Sequence, residues 1–137
     1  MNTAVRVPFE REVKRAVIAT YRRFGAVVAN LDQGFRPGGP RHGTTRQTEG
    51  LPDLRVFYPP RRVSWDHEVK RPGGKQSPEQ VEFEQLLTAC GVPYALGGPG
   101  AALLALRDVA GVQVQVHAIH LVDGDRLTLP DPGTARP

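Results

Sequence analysis

The part of this chain that most narrows what it can fold into is residues 54 to 80. Two runs rich in β-branched and aromatic residues, "DLRVFYP" and "RVSWDHEVK", are separated by a Pro59–Pro60 turn, so they read as an antiparallel hairpin. The second run dissolves into "RPGG". Ser77, Pro78 and Gln80 then have the spacing of a capping box with proline in the first helical turn. That spacing predicts a helix running to about Cys90, with Phe83, Leu86, Leu87 and Cys90 buried and Gly91 as the stop.

The flanking segments extend the pattern. Phe9, Val13, Ala16, Val17, Tyr21 and Phe24 recur at helical spacing, with Pro8 suited to the first turn and Gly25 to the end. "AVVANL" (26 to 31) and "VPYAL" (92 to 96) are short apolar runs of the kind that form buried strands. Ala101 to Val109 reads as a short helix, "VQVQVHAI" as a strand with one wet face, and Asp123–Gly124 as the turn of a terminal hairpin. The resulting order of elements predicts an α/β domain, a central mixed sheet flanked by helices. A chain of 137 residues can build one core, so residues 1 to 130 are expected to form one domain and 131 to 137 a flexible tail.

Charge is unevenly placed. Residues 1 to 75 carry 15 of the 18 Lys and Arg but 7 of the 14 acids, a balance of +8, and the remainder sums to −4. Fifteen of the basic residues are arginine, whose planar fork suits phosphate, so one end of the molecule is expected to attract polyanions. The loop Asp32 to Gly50, with five glycines, Arg36, Arg41 and Arg46, is the segment expected to close over such a ligand. The longest uncharged stretch, 91 to 106, is broken by two prolines and four glycines, which excludes a membrane span there. A lone Cys90 and an N-terminus without an apolar core lead to the expectation of a reducing, cytoplasmic setting.

The chemistry concentrates in "SWDHEVKRPGG". Side chains two apart on a strand share a face, so Glu68 and Lys70 point together while Val69 turns inward. Asp53 opens the partner strand of the hairpin, where it can meet Glu68. Two carboxylates that close repel unless a cation lies between them, and Mg²⁺ or Mn²⁺ needs only one or two protein carboxylates when a phosphate completes its shell. Lys70 would then orient water or neutralise phosphate, with Arg71 and Lys75 placed for phosphate contacts. Asp66 is expected to pair with an arginine, Trp65 and His67 to lie in the core or an interface, and Cys90 to be a small core residue. His117 and His120 fall on opposite faces of a strand and do not form a metal pair.

"GLPDL" (50 to 54), "EVKRPGGKQSPEQ" (68 to 80) and the helix opening "FEREV" resemble, in order and spacing, the PD-(D/E)XK nuclease superfamily and within it the VRR-NUC group. The resemblance covers roughly residues 8 to 110. It implies a restriction-endonuclease-like core in which Asp53, Glu68 and the Val69 carbonyl are metal ligands. It further implies that Lys70 is the catalytic lysine and that Glu10 and Gln80 join the site. The implied activity is a Mg²⁺- or Mn²⁺-dependent DNA endonuclease, structure-specific on branched DNA and acting as a homodimer. The alternative is a non-catalytic nucleic-acid-binding module on the same scaffold. Asp66 and His67 stand where this strand is usually apolar, and everything after residue 111 lies outside the shared pattern.

Overall fold

The computed structural model describes residues 6–31 and 49–131. Residues 32–48 of the long loop, with Arg36, Arg41 and Arg46, and all but the first residue of the expected tail lie outside the described residues.

Chain order is α1 (Glu10–Arg23), β1 (Val27–Asn30), β2 (Leu54–Tyr58), β3 (Val63–Val69), α2 (Pro78–Ala89), β4 (Tyr94–Gly97), α3 (Pro99–Asp108) and β5 (Arg126–Thr128). The strands form one five-stranded sheet in the order β1-β2-β3-β4-β5. Every neighbouring pair is antiparallel except β3–β4. That parallel pair needs a crossover, and α2 supplies it. The sheet is mixed and flanked by helices, as expected.

Register divides the strand residues between two faces. Leu54, Val56, Trp65, Val69 and Ala95 meet Val13, Val17 and Tyr21 of α1 and Ala101, Ala105 and Leu106 of α3 in the main core. On the opposite face Tyr94 and Leu96 pack with Leu87 of α2. Partnering of Arg55 with Asp66, of Asp66 with Tyr94, and of Tyr94 with Thr128 puts those polar side chains on the α2 face.

Both faces of β3 are therefore buried, and the polar residues it carries are held by specific partners. Trp65 Nε1–H donates to Tyr21 Oη (3.0 Å), and Tyr21 Oη lies 2.6 Å from His67 Nδ1. His67 Nε2 faces the Gly97 carbonyl at 2.9 Å. A carbonyl can only accept, so Nε2 carries the proton and Nδ1 accepts from the tyrosine. Burial pushes His67 down to about 4, which keeps it neutral in this relay. On the other face Arg55 holds Asp66 in a two-pronged pair at 2.8 and 3.0 Å. Because Asp66 is fully buried, Arg55→Ala should cost about 3 kcal/mol in urea unfolding by orphaning a buried carboxylate. Arg55→Met combined with Asp66→Leu should recover most of that loss.

Several expectations fail in instructive ways. Pro8 precedes the helix, whose N-cap is Phe9, and Phe9 is 53% exposed instead of buried; Ala16 is exposed as well. On α2 the buried residues are Glu84 and Leu87, while Leu86 and Cys90 are exposed. Glu84 is buried because Arg126, Gln76 and Thr128 all donate to it. Burial alone would push its carboxyl up, but these donors together hold it below the usual range. The expected strand "VQVQVHAI" is irregular and contains a 3-10 turn, Val116–Ala118. Its alternation has no ladder to join, because β5 already occupies the free edge of β4. Asp123 and Gly124 do form a turn, but it leads into β5 and not into a hairpin with that segment.

Candidate active site

Asp53 sits immediately before β2, and Glu68 and Lys70 lie at the end of β3. Because these two strands are antiparallel, all three fall at the same end of the sheet. Two local devices fix Asp53. Its Oδ2 accepts the Val69 N–H at 2.8 Å, tying it to β3 beside Glu68. Upstream, Gly50 packs so closely on α2 that a Cβ there would fall 2.1 Å from the Glu79 carbonyl oxygen. Only glycine lets the "GLPDL" segment lie against the helix that carries Gln80.

Gln80 is aimed by the cap it helps to form. Its Oε1 accepts the Ser77 N–H (2.8 Å) while its own N–H is held by Ser77 Oγ (3.1 Å), the reciprocal pairing of a capping box. With the carbonyl end engaged, the amide Nε2 faces the strand and donates to Glu68 Oε2 at 2.9 Å. Lys70 Nζ stands 3.9 Å from the same oxygen, and its side chain is 15% exposed.

The other Glu68 oxygen, Oε1, is buried without a hydrogen-bond donor among the described residues. The carboxyl of Glu68 is pushed up to about 9, first by burial and then by the adjacent Asp53 carboxyl, which lies within hydrogen-bonding reach; Lys70 opposes the rise and Glu10 adds to it. Two acceptors in contact are favourable only around a shared proton or a cation. A donorless buried oxygen beside a second carboxylate is a donor set suited to a hard divalent ion, so the residues fit such a metal. No three His, Cys, Asp or Glu side chains form one ligand cluster among the described residues, so the carboxylate set is the pair Asp53 and Glu68. Val69, next to Glu68 on β3, donates its N–H to Asp53.

The shift has a measurable consequence in metal-free protein. Glu68 keeps its proton in the folded state up to about 9 but loses it near 4.5 when unfolded. Stability from this group is therefore present below about 4.5 and is lost as pH rises towards about 9. The decline should approach 1.4 kcal/mol per pH unit at its steepest, on the order of one proton's linkage, and Glu68→Gln should flatten it. Saturating Mg²⁺ should also remove it, since a ligating carboxylate must be ionised.

Among the other predicted residues, Glu10 is exposed in the first turn of α1, close enough for its charge to act on Glu68. Arg71 and Lys75 are exposed on the turn that leaves β3. Sequence reading did not foresee that the C-terminal segment reaches this region. The Asp123 carbonyl faces the Gly73 N–H at 3.5 Å, and Asp125 accepts the Gly98 N–H at 3.1 Å. Such contacts join residues far apart in the chain and leave no local pattern. Tyr94 is likewise unforeseen: burial raises its hydroxyl, as does the charge of nearby Glu68, and Gln76 Nε2–H donates to it at 3.1 Å.

No family model matches the chain, and no curated protein matches it. Among solved structures, a chain described as a VRR_NUC domain aligns with a TM-score of 0.53 at 22% identity, covering 72% of this chain and 94% of that one. The chain has a VRR_NUC nuclease-like fold, consistent with the arrangement inferred from "PD" and "EVK".

Proposed function

We propose that the protein is a divalent-metal-dependent DNA endonuclease. The observation that carries this reading is the convergence of Asp53 and Glu68 around a buried, donorless oxygen, with Lys70 and Gln80 in attendance. A bound Mg²⁺ or Mn²⁺ would supply Lewis acidity, both to lower the pKa of water and to stabilise charge on the phosphate. Asp53 and Glu68 would hold it, with the Val69 carbonyl as a further oxygen donor. Gln80 keeps Glu68 Oε2 engaged and thereby leaves Oε1 for the ion. The Lys70 ammonium stands where it can orient the attacking water or neutralise the phosphate. Arg71 and Lys75, exposed just after β3, would contact phosphates along the strand. Gln80 brings the N-terminal turn of α2 to Glu68, and a helix start favours an anionic ligand.

The preferred substrate in this reading is branched DNA. One centre cuts one strand, so resolving a four-way junction needs two centres and hence a homodimer; a monomer in sedimentation would contradict the junction version. Labelled duplex, flap, fork and four-way junction DNA, incubated with Mn²⁺ and with chelator, test the proposal. Metal-dependent cutting of at least one branched form is expected. Binding without cleavage on every substrate would contradict catalysis and favour a non-catalytic module on a nuclease scaffold.

A further inference from the structure

Beside the catalytic residues lies a cavity of about 360 Å³, lined by Pro8, Val13, Lys70, Pro72, Pro99 and Val122. Its walls are almost wholly apolar, and the acidic side chain among them, Glu12, is neutralised by Arg6 at 2.9 Å. Lys70 belongs both to this cavity and to the Glu68 site, so whatever fills the cavity adjoins the reacting phosphate.

One wall is built deliberately. Asp125 Oδ1 accepts the Gly98 N–H and Oδ2 the Val122 N–H, both at 3.1 Å, clamping the 122–125 turn onto the start of α3. Val122 is thereby fixed at the lip, 44% exposed. Just before α1, next to Pro8, the half-exposed ring of Phe9 has two guanidinium groups over it, Arg6 at 5.7 Å and Arg11 at 5.3 Å. Arg11, exposed there, would contact the backbone of a strand that enters the cavity.

We propose that the cavity receives an unstacked nucleotide flanking the scissile phosphate, so that the substrate is a strand unpaired at the cut. This deepens the nuclease reading and rests on it. Apolar walls bury a base or sugar without reading base edges, so recognition would depend on single-strandedness and tolerate any sequence. Paired, stacked DNA could not reach into the cavity without extruding a nucleotide.

The test uses a flap DNA bearing one tetrahydrofuran abasic residue, stepped along the strand past the cut, compared with the intact flap. Cleavage is followed with Mn²⁺, and binding by anisotropy in chelator. An abasic residue at one position beside the cut should raise KM and Kd about tenfold, the scale of one well-buried apolar group, with no such loss at distant positions. Val122→Trp, which fills the cavity from its lip, should weaken the intact flap about as much, and the two changes should not add. Ala16→Leu, from an exposed position on α1 that also lines the cavity, provides a second filled variant, and thermal melting checks that both fold. A flat abasic profile with cleavage intact, or full additivity with both filled variants, would overturn the cavity's role while leaving the nuclease reading in place. Failure of the unaltered chain to cut any intact substrate would overturn that reading and this inference with it.

Discussion

Glu68→Gln is expected to reduce Mn²⁺-dependent cleavage by about a thousandfold or more, the scale of losing a metal or a transition-state charge partner, and at the same time to raise the melting temperature of the metal-free protein. Both effects have one cause. Glu68 is held in a buried position against Asp53, a placement that costs stability until a cation is bound. The amide is nearly isosteric, retains an oxygen for the Gln80 donor and can itself donate to Asp53, so the strain disappears together with the ligand. A residue whose replacement abolishes activity and improves folding is one kept for chemistry. Cleavage at the unaltered level, or a lower melting temperature with full activity, would contradict this assignment.

Gly97→Ala should lower stability by about 4 kcal/mol, from backbone strain plus overpacking, and the melting temperature by roughly 15 °C. Gly97 has φ +123, and a Cβ there would fall 2.1 Å from Asp125 Oδ1. The effect should reach the site, because the Gly97 carbonyl accepts both His67 Nε2–H and, at 3.4 Å, the Lys70 N–H. Gly98→Ala is the control. Its backbone is extended and its nearest neighbour is the Val13 methyl at 3.3 Å, so it should cost less. Equal losses for the two variants, measured by thermal melting, would show that the Asp125 contact does not govern this turn.

What could be read in advance depended on how local the determining physics is. The hairpin of β2 and β3 and the capping box of α2 are settled by residues a few positions apart, and both form as expected. Period-2 alternation placed Glu68 and Lys70 together and Val69 in the core, while the order "PD" then "EVK" brought Asp53 to them. Asp66 has the arginine partner expected of it, and the partner is Arg55 on the neighbouring strand.

Where the outcome hinges on a distant partner, local pattern misled or was silent. The alternation of Val112, Val114 and Val116 matches a half-buried strand, yet Val116 is 74% exposed because β5 took the edge it would have needed. Leu86 lost the core position to Glu84, whose burial is made possible by Arg126, 42 residues away. Phe9 has the spacing of a core residue but lies at the N-cap, beyond the helix turns that pack on the sheet. Asp125 reached the start of α3 through a turn that no short-range pattern foretells.

Anomalous diffraction from Mn²⁺-soaked crystals would show whether Asp53 and Glu68 grip a divalent cation between them. A manganese peak is expected about 2 Å from a carboxylate oxygen of each residue, and none in Glu68→Gln crystals soaked in the same way. Mn²⁺ bound elsewhere, with no peak between the two carboxyls at saturating metal, would contradict it.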